Sequence, residues 1–166
     1  MEREFQSHTF EPIFDGNSKI LILGTFPSVK SRENNFYYGH PQNRFWSVLA
    51  EILGVSTPLN ILEKKQMLLN NNIAIWDVVG SCDISNSSDM SIKNVVPNDL
   101  NIILENADIK TVYANGKTAE KLYNKYLLKK TGKEITALPS TSPANAAFSK
   151  ERLFAAWEII KEDLEK

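Results

Sequence analysis

An α/β fold is predicted for this chain: a three-layer α/β/α sandwich around a four-stranded parallel sheet. Three observations predict it. Four short apolar runs alternate with segments whose apolar residues recur at helical spacing. The runs at 19–23 and 73–79 are almost continuously apolar, as in strands covered on both faces. With 166 residues, 42% hydrophobic and 23% charged, the chain has the composition of an ordinary globular domain, and one domain over residues 1–166 is expected.

Residues 1–18 read as an arm and a turn, with DGNS at 15–18 as turn chemistry. KILIL (19–23) is the first buried strand, broken by GTFPS (24–28) and followed by a polar, aromatic-rich loop to Gln42. NRFWSVLAEILGV (43–55) carries apolar residues at 45, 46, 48, 49, 52 and 53, which predicts a helix. A second helix is predicted over 61–70 and a second strand over IAIWDVV (73–79). GSCDISNSSDMSIKN (80–94) reads as a long loop. A helix over 97–107 follows, with Pro97 near its start. The third strand is IKTVYA (109–114), closed by Asn115 and Gly116. KTAEKLYNKYLLKK (117–130) is an amphipathic helix with a basic end, EITAL (134–138) the fourth strand, and 150–166 the last helix, with Ser149 as its N-cap.

Composition excludes several function classes. Cys82 is the one cysteine, so no intrachain disulfide and no four-cysteine metal site or iron–sulfur cluster can form. The two histidines, His8 and His40, with no HExxH or CxxC pattern, begin no zinc site. On these counts no metal is expected. No apolar run approaches the roughly 18–20 residues that span a bilayer, and the polar start MEREFQSHTF lacks a signal-peptide core. A cytoplasmic monomer is the expectation. The net charge of −1 neither announces nor excludes nucleic acid, because the placement of the basic residues decides.

In a parallel sheet of this kind ligands bind outside the carboxyl ends of the strands, which directs attention to loops 24–43, 77–94, 114–118 and 139–149. Gly24 permits a sharp turn and close approach of a ligand, and Pro27 stiffens the loop. Phe36, Tyr37 and Tyr38 cannot all be buried alike, so at least one should line a pocket, and a loop aromatic suits stacking on a base. PSTSPANAAFS (139–149) offers hydroxyls and backbone N–H groups to phosphate. Lys117, at a helix start, is a phosphate candidate, as are Ser81 and Ser88. On residue type alone Asn43 reads first as a helix N-cap and Asn115 as a turn residue. Asp77 reads as a buttress of the next loop or a general base, His40 as a loop-fixing or ligand-contacting residue, and Trp46, Trp76 and Trp157 as core.

GTFPS (24–28), YYGHPQNRFW (37–46), Asn115–Gly116 and STSPANA (140–146) together resemble the motifs of the uracil-DNA glycosylase superfamily. The resemblance runs from about residue 10 to 162 and is nearest to the hypoxanthine-DNA glycosylase branch (family 6, DNA-deoxyinosine glycosylase). The mismatch-specific branch has a similar HPxNRFW string. The resemblance implies a uracil-DNA glycosylase-like fold and hydrolysis, without a metal or organic cofactor, of the N-glycosidic bond of a flipped, deaminated base in DNA. Most branches place Asp or Asn where this chain has Phe26; the family-6 branch shares the departure. Carried over residue by residue, Asn43 and Asn115 are the catalytic candidates and Tyr38 the ring that stacks on the flipped base. Gly24, Thr25, Phe26 and His40 complete the base-binding set. The DNA-binding set is Pro27, Ser28, Ser81, Lys117, Ser140, Ser142, Pro143, Ala144 and Asn145. Ser142 stands where other branches have His or Asn, so it shapes the loop or replaces that residue.

No Asp or Glu lies within these motifs. Asn cannot usefully deprotonate water, but it can hold a water or a base edge, so the expected catalysis is positioning and electrostatic stabilisation after base flipping. Nothing in the sequence desolvates Lys117, so a Schiff-base lyase is not expected. Two other readings remain: a uracil or thymine mismatch glycosylase of the same superfamily, which Phe26 disfavours, and a non-catalytic nucleic-acid-binding α/β module, for which no phosphate-loop motif is present.

Overall fold

The computed structural model describes residues 4–8, 10–85 and 91–166. Four strands form a parallel sheet: β2 (Ile20–Gly24), β3 (Ile73–Asp77), β6 (Thr111–Asn115) and β7 (Ile135–Leu138), in the order β3-β2-β6-β7. Every residue of β2 and β3 is buried. Successive side chains point to opposite faces, so full burial means that both faces are covered. α2 (Phe45–Leu53) packs on α7 (Lys150–Trp157), α3 (Ile61–Asn70) on β3, α5 (Lys117–Tyr126) on β6 and β7, and α8 (Ile159–Leu164) on β2. The three tryptophans are core residues, as expected, and Phe45 meets Trp157 edge to face across the α2–α7 contact. Ser149 caps α7 by accepting the Arg152 N–H at 3.2 Å.

The sequence reading needs correcting on one side of the molecule. Val79–Ile84 is a strand, β4, and not the start of a loop; it pairs antiparallel with β1 (Glu4–Ser7) and β5 (Lys93–Pro97) in a second, three-stranded sheet. The arm at 1–18 is therefore partly structured: Ile13 bridges Ile75 beyond the outer edge of β3 through two 3.0 Å backbone hydrogen bonds, which covers that edge. A loop is expected over 80–94, but backbone pairing to β1 and β5 outweighs the turn preference of Gly80 and Ser81; residues 86–90 of that stretch lie outside the described residues. The loop at 24–43 also holds a short helix, α1 (Val29–Asn34), capped by Ser28. The predicted helix over 97–107 shrinks to α4 (Asn101–Leu104), and the one over 117–130 divides into α5 and α6 (Leu128–Thr131).

Candidate active site

β2, β3, β6 and β7 end at the same edge of the sheet, and a cleft of about 1100 Å³ opens there. This is somewhat larger than the roughly 300–1,000 Å³ usual for small-ligand sites, so a nucleotide and part of its backbone fit. Of the residues singled out by sequence, Gly24, Thr25, Phe26, Pro27, Ser28, Tyr38, His40, Asn43, Asn115, Lys117, Ser140, Ser142, Pro143, Ala144 and Asn145 all line it. Ser81 does not. It sits in β4, paired with Ser7 and Val96 in the second sheet. Ser88 lies outside the described residues.

The first wall is the turn after β2. The Gly24 and Thr25 carbonyls accept the Val78 and Val79 N–H groups at 2.9 and 3.0 Å, locking this turn to the crossing between the two sheets. Phe26 is almost fully buried, edge to face with His8, and its ring faces the Arg32 guanidinium at 5.6 Å. An apolar ring at this position cannot hold a water, as its sequence implied.

The second wall is the aromatic loop. Phe36 stacks on Trp46, and Tyr37 donates its hydroxyl to the Glu11 carbonyl at 2.6 Å. Burial, and then the Asp77 charge, push the Tyr37 phenol far above its usual pKa. Tyr38 is the half-buried ring of the three, with φ at +51°. One of its faces rests on Phe45, centroids 4.1 Å apart. Only the other face or the edge can meet a base, and the ring contributes to the core more than its loop position suggested. His40 accepts the Gln42 N–H on Nδ1 at 3.1 Å, so its neutral ring carries hydrogen on Nε2.

The centre of the cleft is a polar relay. Asn115 Nδ2 donates to Thr141 Oγ1 at 3.0 Å, and the Thr141 N–H donates back to Asn115 Oδ1 at 3.0 Å. Thr141 Oγ1 then donates to Asn43 Oδ1 at 2.8 Å, and Asn43 Oδ1 also accepts the Phe45 N–H at 2.9 Å. Asn43 thus does serve the start of α2, but with its oxygen alone. Among the described residues its Nδ2 has no hydrogen-bond partner, and Asn43 lines the cleft half-buried. Thr141 is fully buried. The Asn115–Gly116 turn is constrained too: Gly116 has φ of +101°, and a Cβ there would lie 3.2 Å from Ser140 Cβ, so only glycine brings the two loops together.

The last wall, 139–149, is held from below by Arg44. Its guanidinium donates to the Phe148 carbonyl and, at 3.1 Å each, to the Ser142 and Asn145 carbonyls. Within the loop, Ser142 Oγ accepts the Ala144 N–H and Ser140 Oγ accepts the Ser142 N–H, both at 3.1 Å. The Ser142 hydroxyl is thus engaged in shaping the turn. Lys117 is exposed at the start of α5. Sequence reasoning passed over Arg44 and His8. Arg44 stood inside a quoted motif, but the carbonyls it holds lie 98 to 104 residues away, so nothing local marked its role. His8 gave no local signal, since its partner is Asp77, 69 residues away. Among the described residues no cluster of three His, Cys, Asp or Glu could hold a metal ion, and no helix is long and apolar enough to cross a membrane.

A parallel β3-β2-β6-β7 sheet with a cleft at its carboxyl edge, walled by proline-containing loops and crossed by a relay of amides, places a ligand site where such sheets hold theirs, and the comparisons say which family uses it. Residues 11–164 match the model of the uracil DNA glycosylase superfamily, and the chain belongs to that superfamily. Within it the chain is similar to the hypoxanthine DNA glycosylase of Methanosarcina acetivorans, at 35% identity over 91% of this chain and 95% of that one. It is similar also to the hypoxanthine DNA glycosylase of Methanosarcina barkeri, at 34% identity over 92% and 96%. A solution NMR structure of a uracil DNA glycosylase candidate from M. acetivorans superposes with a TM-score of 0.80 at 34% identity, covering 95% of this chain and 97% of that one.

Proposed function

We propose that this chain is a monofunctional DNA-deoxyinosine glycosylase that hydrolyses the N-glycosidic bond of a flipped hypoxanthine in base excision repair. The observation that carries the reading is the Asn115–Thr141–Asn43 relay, which engages the Asn43 oxygen and leaves its amide N–H group unbonded at the cleft lining, in a chain similar over nine-tenths of its length to hypoxanthine DNA glycosylases. Extrahelical placement costs a few kcal/mol, and the open face of Tyr38 offsets part of it by stacking. The C1′–N9 bond then breaks with its electron pair leaving on the base, water adds to C1′, and the proton it loses passes to the hypoxanthine anion, which leaves as the neutral base. Asn43 Nδ2 donates to the water or to the departing base, which is catalysis by position and electrostatics. Asn115 is a positioning residue whose amide is engaged with Thr141. His40 Nε2–H serves the same charge at the cleft wall.

On the DNA side, Lys117 and the hydroxyl- and N–H-rich loops Pro27–Ser28 and 140–145 take phosphates. The exposed Lys117 remains a phosphate ligand and not a nucleophile. The reading is tested by incubating oligonucleotides containing deoxyinosine, deoxyuridine or deoxyxanthosine with the protein, then cleaving abasic sites with alkali. Strand scission at deoxyinosine supports it. Scission at deoxyuridine alone would move the assignment to a uracil-directed enzyme, and no scission would leave a binding module.

A further inference from the structure

Asp77 ends β3 at the floor of the cleft and is the acidic residue among those lining it. His8 Nε2 donates to Asp77 Oδ2 at 2.8 Å, and the two side chains are only 4% and 5% exposed. His8 is caged by the rings of Phe10, Phe26, Tyr37 and Trp76, at centroid distances of 4.6 to 6.4 Å. The other carboxylate oxygen, Oδ1, has no hydrogen bond among the described residues. It lies beside Gly24: a Cβ there would collide with Oδ1 and come within 3.0 Å of the Tyr38 hydroxyl oxygen. The absence of that Cβ lets the carboxylate oxygen and the phenol approach the end of β2, where all three residues line the cleft. Oδ1 is not among the fully enclosed side-chain atoms that lack a partner, so it stays accessible from the cleft, and a carboxylate oxygen shielded from most of the solvent gains from an N–H or O–H that reaches it.

We propose that Asp77 is a specificity-determining residue that accepts the N1–H of hypoxanthine on Oδ1, and that His8 is the positioning residue that fixes it. The proposal rests on the glycosylase reading above. Depth supports it. The sugar stays tied to the DNA backbone near the mouth, where half-buried Asn43 stands, so the floor meets the edge of the purine farthest from C1′. That edge carries N1 and O6. Deamination of adenine turns N1 from an acceptor into an N–H donor, and an ionised carboxylate only accepts. Asp77 therefore welcomes hypoxanthine and repels the N1 lone pair of adenine. His8 adds a second filter. Guanine presents two N–H donors to a carboxylate, but His8 occupies Oδ2, so one acceptor remains for one donor and the guanine 2-amino group finds none.

The test compares single-turnover base release from strands carrying deoxyinosine with release from strands carrying deoxynebularine, the purine whose N1 bears only a lone pair. Wild-type protein should favour hypoxanthine. Asp77→Asn keeps size and keeps an acceptor for His8 while turning an N–H toward the cleft. It should lower the hypoxanthine-to-nebularine ratio by about 10–100-fold, the discrimination usual for one base-edge contact. His8→Ala should lower the ratio part of the way, and His8→Gln, whose amide N–H still donates, should restore it. If Asp77→Asn slows both substrates equally, or leaves the ratio unchanged, the proposal is overturned while the glycosylase reading stands. If the His8 variants leave the ratio unchanged although they fold, as judged by melting, the positioning role is overturned. A wild-type protein that releases neither base overturns the glycosylase reading, and this proposal with it.

Discussion

Replacing Asn43 by Asp separates the two jobs that the structure gives this side chain. The Asn43 oxygen accepts two hydrogen bonds, from Thr141 Oγ1 at 2.8 Å and Phe45 N–H at 2.9 Å, while Nδ2 has no partner among the described residues and the residue lines the cleft. Aspartate is isosteric and retains an oxygen for both donors, so Asn43→Asp should change unfolding free energy by no more than about 0.5 kcal/mol. It removes the N–H donor, and loss of one preorganised donor to a charge-developing centre costs about 10²–10³ in rate. Asn43→Ala removes both functions. It strands the hydroxyl of the fully buried Thr141 and should cost about 1–3 kcal/mol of stability as well as activity. Denaturant melts and single-turnover base release on the same preparations give both numbers. An Asn43→Asp enzyme that is stable and within a few-fold of wild-type rate would refute the donor role and leave Asn43 as a structural link between α2 and the 139–149 loop.

Three further perturbations follow from the geometry. Thr141→Val, nearly the same shape, should destabilise by about 1–3 kcal/mol by leaving Asn115 Nδ2 without its acceptor and Asn43 Oδ1 with one donor in place of two and reduce turnover with little change in DNA affinity; normal turnover would remove the relay from the mechanism. Arg44→Met should free the Ser142, Asn145 and Phe148 carbonyls, raise amide hydrogen exchange across 139–149 and weaken DNA binding by gel shift, whereas unchanged exchange would show that the loop holds itself. Stability should fall as pH rises above about 10. Tyr37 is raised by burial and then the Asp77 charge, and Tyr113 by burial and then its hydrogen bond and charge interaction with Asp163. Folded pKa values above the unfolded value mean that the unfolded chain releases protons first, so each contributes up to about 1.4 kcal/mol per pH unit beyond that point. Tyr37→Phe should flatten the alkaline limb of a melting-temperature profile, and an unchanged limb would contradict this.

The parallel sheet was legible because its signal is local. β2 and β3 are unbroken apolar runs, and β6 and β7 are bounded by turn residues, so neither depends on a distant partner to be recognised. The second sheet was not legible. β1 is mostly exposed and β5 contains Pro97, and both exist because β4 lies between them. Long-range pairing of this kind leaves almost no trace in a short window of sequence. The candidate site divides along the same line. Motif residues at or just after strand ends, Gly24, Asn115 and the 140–145 loop, converge because a parallel sheet brings its carboxyl ends together, and Asn43, at the start of α2, reaches them through Thr141. The connections that set chemistry within it, Thr141 bridging two amides, Arg44 holding three carbonyls and His8 reaching Asp77, join positions between 69 and 104 residues apart or depend on buried geometry. Ser81 was misplaced for a related reason: it follows β3 closely in sequence, but the chain crosses into the second sheet at Val78 and carries it away from the cleft.

The central claim, hydrolytic release of hypoxanthine from DNA, is tested most directly by identifying both products of a single-turnover reaction on a deoxyinosine strand in EDTA. Mass spectrometry should find free hypoxanthine and an intact abasic strand in equal amounts, and borohydride added during turnover should trap no protein–DNA adduct. An adduct, a strand broken without alkali, or a reaction that needs an added divalent cation would contradict the account.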